Sequence, residues 1–206
     1  MHIHNEFADR LLSRLEYIRI TPKRILVIGL TTHHLAIYLQ KSYPLAVITE
    51  APFASSEKQE AHDLIIAQFP FLGAETPQAI LQRLFQHLRN NGLLLFTALG
   101  PDSYQESSEK LSFIDMHHIG DWMKQVGFSD PVMDREEIML MYDTMNALQR
   151  DAVALGVTIA EDNSWPKTDN FFSVTIELIS GHGWKLETND EICISVERIQ
   201  RRGEGA

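Results

Sequence analysis

Residues 25 to 36, Ile-Leu-Val-Ile-Gly-Leu-Thr-Thr-His-His-Leu-Ala, carry the clearest chemical hint in this chain. A continuous apolar run ends at Gly29 and a helix-compatible stretch follows. In such a strand-turn-helix, glycines let the backbone approach a ligand, because they permit positive φ and carry no Cβ. Here Gly29 is followed at alternate positions by Thr31 and His33, which supply neither property easily. Glu50 closes the next β-rich run, Leu45 to Thr49, and by itself can be read as a solvated strand end. Gln68 opens the segment Gln68-Phe69-Pro70-Phe71 after a third apolar run, and these aromatics suit core or pocket lining.

Three histidine pairs, His2 with His4, His33 with His34, and His117 with His118, raise the question of a metal site. Adjacent residues point about 100° apart on a helix and to opposite faces on a strand, so neighbours rarely share one ion. Surface or core roles are expected for them and no metal is expected, although nine histidines permit some pH response between about 5 and 8. Asp134, Glu136 and Glu137 could suggest acid-base carboxylates, but a charged strand entrance explains them better. No catalytic residue is identified.

The elements that must position these groups alternate. Asp9 to Ile20 has helical spacing at Leu11, Leu12, Leu15 and Ile18 and stops at Pro22. Strands follow at Arg24 to Gly29, Leu45 to Thr49, Asp63 to Ala67 and Leu93 to Ala98. Helices are expected at His34 to Lys41 and Gln78 to Leu88, the latter closed by the turn Asn90-Asn91-Gly92. Such alternation predicts a parallel, doubly wound α/β sheet covered on both faces. In the second half, Asp115 to Val126 and Met145 to Leu155 read as helices. Glu137 to Tyr142 and Phe171 to Ile179 read as an antiparallel C-terminal hairpin. Asp162 to Pro166 reads as a loop and residues 201–206 as a frayed tail.

With 206 residues, one domain over 1–206 is expected. The formal net charge of -10 argues against broad contact with nucleic acid or an anionic membrane. Cys193 is the only cysteine, which excludes an internal disulfide and fits a reduced compartment. Apolar runs such as Leu93 to Ala98 are far too short to span a membrane, and no signal peptide is legible, so a cytoplasmic protein is expected.

This order of elements, with the segments Leu15-Glu16-Tyr17-Ile18-Arg19, Gly92 to Ser103, Phe113 to Asp121, Gly127 to Asp134 and Gly181-His182-Gly183-Trp184-Lys185, resembles class I S-adenosylmethionine-dependent methyltransferases. Within them the chain looks like the malonyl-acyl-carrier-protein O-methyltransferases of biotin synthesis. The resemblance implies a Rossmann-like doubly wound sheet and S-adenosylmethionine as cofactor. It places the cofactor at Gly29, Thr31, Glu50 and Gln68, with Glu50 on the ribose and the Gln68 segment beside the transferred methyl group.

The chain departs from that pattern in four places. Val27 replaces an acidic residue, Thr31 and His33 replace glycines, and the N-terminal segment that covers the cofactor is short. Only twelve residues separate Glu50 from Asp63, where relatives place a helix, a third strand and a second helix. One parallel crossover alone takes about a dozen residues, so the third strand is expected to be missing. The reading is a divergent family member with weak or absent cofactor binding, retained as a non-catalytic binding or regulatory partner. An active O-methyltransferase on the free carboxylate of a malonyl thioester, and a pocket for a different small ligand, stay open.

Loss of the third strand makes Leu45 to Thr49 a sheet edge, through which a homodimer or heteromer is expected. An acyl carrier protein is a further partner by resemblance. Arg10, Arg14 and Arg19 are the cations that could meet it.

Overall fold

The computed structural model describes residues 3–29, 32–51, 61–73, 75–108, 111–159, 165–168 and 170–187. In chain order the elements are α1 (Ile3–Ser13), a 3-10 turn (Arg14–Tyr17), β1 (Arg24–Ile28), α2 (Thr32–Ser42), β2 (Val47–Ala51) and β3 (His62–Gln68). They continue with α3 (Pro77–His87), β4 (Leu88–Leu99), α4 (Met116–Val126), β5 (Ser129–Tyr142), α5 (Met145–Ala154), β6 (Lys167–Thr168) and β7 (Phe171–Lys185). The sheet runs β2-β1-β3-β4-β7-β5, with β6 paired to β7. β2, β1, β3 and β4 are parallel, and β7 is antiparallel to both β4 and β5.

β1 reads as an unbroken apolar run because both its faces are covered. Ile25 and Val27 share a buried cluster with Leu11, Leu12, Leu35 and Leu39 of α1 and α2, while Leu26 and Ile28 belong to another with Ile80, Leu84 and Ile119 of α3 and α4. This is the doubly wound arrangement. A third cluster joins Phe7 of α1 to Leu148 and Ala152 of α5 and to Val174, Ile176 and Leu178 of β7. Helix ends follow local chemistry: Thr76 accepts from the Ala79 N–H ahead of Pro77, Asp115 caps α4, and Gly127 closes α4 at φ 111°.

Among the described residues the sheet ends at β2. Residues 52–60, Thr31, Cys193 and 201–206 lie outside the described residues, as does most of the Asp162 to Pro166 loop. Other expectations need correction. The first helix starts at Ile3 rather than Asp9, because fully buried Phe7 and Ala8 extend its apolar stripe.

Asn90-Asn91-Gly92 does not end an element. β4 pairs Leu88 with His62 and resumes with Leu93 opposite Leu64, so the intervening residues form an irregularity within the strand, with Asn91 at φ 63°. β5 begins eight residues before Glu137, and β7 runs six residues past Ile179. The expected hairpin is therefore a long antiparallel pair joined through α5 rather than by a tight turn. Asp134, Glu136 and Glu137 lie within β5, not at its entrance.

Candidate functional site

Three of the four residues singled out from sequence gather at the carboxyl ends of adjacent strands. Register places Val27 opposite Glu50, and Ile28 between Ala51 and Ala67. Gly29 therefore leaves β1 between the end of β2, where Glu50 is the penultimate residue, and the end of β3, at Gln68. Gly29 has φ 130°, and a Cβ there would sit 2.6 Å from the Gln68 carbonyl oxygen and 2.8 Å from its Cβ. The demand for glycine at this turn is thus met by contact between β1 and β3, with no ligand needed to explain it.

Two contacts close the end of β3. Gln68 is buried, and its Nε2 donates to the His4 carbonyl at 2.9 Å. Phe69 follows at φ 52°, its N–H donating to the Thr97 carbonyl at 3.0 Å and its ring standing edge-on to Phe7 at 5.8 Å. The first turns of α1 therefore sit on the carboxyl end of β3. Val27, at the position acidic by resemblance, is fully buried in the cluster with α1 and α2. Glu50 is different: its side chain is 39% exposed, and His33 Nδ1 lies 3.9 Å from its Oε1, a loose pair between solvated groups. His34 reaches Asp9 at 2.7 Å and joins α2 to α1.

The remaining sequence candidates are occupied by structural partners. Arg14 pairs with Asp134 at 2.5 Å, and Arg10 pairs with Glu136 and with Glu6, so these arginines fasten α1 and the 3-10 turn after it to β5. Arg19, the third of them, is exposed. His117 turns to Asp115 at 2.7 Å while His118 stacks on Trp122 at 5.9 Å, so the adjacent rings serve different neighbours. The His117 N–H, then its ring, hold the Asp115 carboxyl below the ordinary carboxylate range.

The segments that carry the resemblance build the sheet. The Asp102 N–H donates to the buried Glu177 carboxylate at 2.9 Å, and Ser103 Oγ both donates to the Glu177 carbonyl and accepts from its N–H. At Gly181 a Cβ would come within 2.3 Å of the Phe96 ring, and at Gly183 within 2.6 Å of Met123. Lys185 Nζ donates to the Phe85 and Leu88 carbonyls at 3.0 and 2.8 Å, closing α3, and burial lowers its pKa.

Sequence reading missed a cavity of about 390 Å³ beside this end of the sheet. Phe69 and residues 71–73, 98–99, 111–114 and 156–158 line it. It includes none of Gly29, Glu50 or Gln68. Only the aromatics at 69 and 71 hinted at it, since four separated segments make its walls.

Comparison with known proteins bears on this geometry. The chain is 28% identical to malonyl-acyl-carrier-protein O-methyltransferase 1 of Coxiella burnetii over an alignment of 247 positions, covering 95% of this chain and 88% of that protein. It is 29% identical to the malonyl-acyl-carrier-protein O-methyltransferase of Laribacter hongkongensis, covering 89% and 82%. The chain is a relative of these methyltransferases. An S-adenosylmethionine-dependent methyltransferase from Thermotoga maritima superposes with a TM-score of 0.52 at 13% identity, covering 89% of this chain and 92% of that one, which shows the shared class I fold. No protein-family model matches.

The first alignment also measures the shortening. It has 247 positions against 206 residues, so at least 41 positions of the Coxiella methyltransferase have no counterpart here. Among the described residues no helix is long and apolar enough to cross a membrane.

Proposed function

We propose that this methyltransferase relative has lost effective S-adenosylmethionine binding and acts as a non-catalytic binding or regulatory partner in the cytoplasm. One observation carries the reading: Gln68 and Phe69, where the resemblance puts the methyl group to be transferred, are engaged by His4 and Phe7 of the chain's own first helix. Methyl transfer to a carboxylate needs little acid-base help, because the nucleophile is already ionised and the enzyme mainly aligns it with the methyl donor. Activity therefore depends on holding the cofactor. Val27 buried in place of an acid, and the 41 or more missing positions, support the same reading. The residues present fit the cofactor at Glu50 and not at Val27 or the β3 end.

Glu50 favours the alternative, an active O-methyltransferase acting on the free carboxylate of a malonyl thioester, because its carboxylate remains at the strand end and partly open to solvent. Partner binding would use β2, the last strand of the sheet among the described residues, where Val47 is 63% exposed, with Leu45, 97% exposed, just ahead of it. A second copy or another chain could pair there. Docking an acyl carrier protein through Arg10 and Arg14 would first require breaking their pairs with Glu136 and Asp134.

The test is production of S-adenosylhomocysteine from excess S-adenosylmethionine with a malonyl thioester and with malonyl-acyl-carrier protein. The proposal expects no turnover above a heat-treated control. Multiple turnovers would establish the enzyme instead.

A further inference from the structure

We infer that the cleft between the 3-10 turn and the end of α2 is a binding site for an alkylguanidinium head group. Leu15, Glu16, Tyr38, Ser42 and Tyr43 line it, and its volume is about 210 Å³. It lies where α2 returns the chain to the amino end of β2, so the length of β1 and β2 separates it from Gly29 and Glu50 at their carboxyl ends. The inference therefore stands whether or not the chain binds S-adenosylmethionine.

The lining sets the class of occupant by what it supplies. Glu16 supplies a carboxylate that takes part in no ion pair among the described residues. α2 ends at Ser42, and the last carbonyls of a helix carry partial negative charge. Lys41 shares that last turn but does not line the cleft. Tyr38 and Tyr43 supply phenol rings, and an aromatic face attracts a cation. Burial, and then the neighbouring Tyr38, push the Tyr43 hydroxyl above the ordinary phenol range, so it stays protonated. An anion would meet like charge at Glu16. A guanidinium is planar, forks onto a carboxylate and stacks on aromatic rings, which suits one glutamate beside two tyrosines better than an ammonium does. Leu15 and the rings can cover its alkyl stem.

The walls are built without a ligand. Leu15 is buried, and Tyr38 and Tyr43 pack against the same cluster as Leu39. The Tyr43 N–H donates to the Leu39 carbonyl at 2.8 Å, the Ala46 N–H to that of Tyr43 at 3.0 Å, and Gln40 Nε2 to that of Pro44 at 3.1 Å. On the facing side the Ile18 N–H donates to the Leu15 carbonyl at 3.2 Å. A preformed site spares the ligand the cost of ordering it. A cavity of about 150 Å³ accepts benzene, so about 210 Å³ holds a guanidinium and a short alkyl chain. Glu16 and Ser42 are exposed, so the expected dissociation constant is modest, about 1 mM.

The experiment is a heteronuclear NMR titration of the full chain with n-butylguanidinium chloride at low ionic strength. Saturable shifts are expected at residues 15–17 and 38–43, weakened by about 0.5 M sodium chloride. n-Butylurea, of similar shape and uncharged, should bind at least about tenfold more weakly. Two substitutions at exposed positions, Glu16→Gln and Ser42→Trp, should leave the far-ultraviolet circular dichroism spectrum unchanged. The first should weaken binding at least about fivefold, and the second, by filling the cleft, should abolish it. N-acetylarginine amide presents the same head group on a peptide backbone. Binding as strong as that of n-butylguanidinium would make a partner's arginine the source, and binding at least about tenfold weaker would make it a free guanidine.

Shifts that stay linear up to about 20 mM n-butylguanidinium would overturn the inference. So would equal binding of n-butylurea, or full binding by the folded Ser42→Trp protein. Titration with S-adenosylhomocysteine on the same protein reports separately on the opposite end of the sheet.

Discussion

The two halves of the sheet have been treated differently. In β4, β7 and β5, strand follows strand with side chains fitted against backbone: Phe96 lies over Gly181, Met123 over Gly183, and the Glu177 carboxylate fills the space beside Gly100. In β2 and β1 the register is regular, but β2 is a five-residue strand with an exposed-to-intermediate burial pattern, and its neighbour's turn has a single glycine. The first half holds most of the segments that resemble methyltransferases. The second holds Gly29 and Glu50, positions to which the resemblance assigns the cofactor. Relationship and activity are thus legible in separate parts of the molecule, and preservation of one says little about the other.

Substitutions that sharpen this contrast should fall in a definite order. Gly181→Ala forces a methyl group against the Phe96 ring at a buried crossing of three strands and should cost about 3 kcal/mol in chemical denaturation. An effect below about 0.5 kcal/mol would mean that the inner half is as loosely fitted as the edge.

Asp63→Ala comes next, at about 2 kcal/mol, because it orphans the Lys23 and Arg24 N–H groups and removes the partner of Arg89. Burial pushes the Asp63 carboxyl up, but the Arg24 and Lys23 amides and the Arg89 guanidinium together outweigh it and hold the pKa below its ordinary value. Its contribution is therefore present above the unfolded pKa near 4 and lost as pH falls through the lower folded value. The stability of Asp63→Ala should accordingly decline less than that of the parent over that acid interval. Parallel acid limbs in the two proteins would refute the assignment.

Asp134→Ala, which releases Arg14 at the partly exposed junction of α1 and β5, should cost under about 1 kcal/mol and less at high salt. Val47→Lys on β2 should leave stability within about 0.5 kcal/mol and lower any self-association measured by light scattering. An unchanged oligomeric state would remove β2 as the contact.

The element order and the doubly wound sheet could be read from sequence because they depend on local periodicity. The convergence of Gly29, Glu50 and Gln68 followed from their positions at strand ends. What stayed hidden depends on distant pairing. Arg10 with Glu136 and Arg14 with Asp134 join residues 126 and 120 positions apart, so the arginines looked available for a partner. Phe7 lies one helical turn before Leu11 and so continues the apolar spacing of α1, but its packing on Phe69 and α5 depends on contacts distant in sequence. The Gln68 to His4 bond had no sequence signal, since a backbone carbonyl is the acceptor. The double change Thr31→Gly with His33→Gly tests which defect dominates: if the α1 contacts limit access, restoring the glycines will not restore cofactor binding.

The most direct measurement is calorimetric titration of the unaltered chain with S-adenosylhomocysteine. Closure of the β3 end by α1 predicts no saturable heat up to millimolar ligand. A micromolar Kd would contradict it, and would mean that the turn at Gly29 and the carboxylate of Glu50 still hold the nucleoside despite everything lost around them.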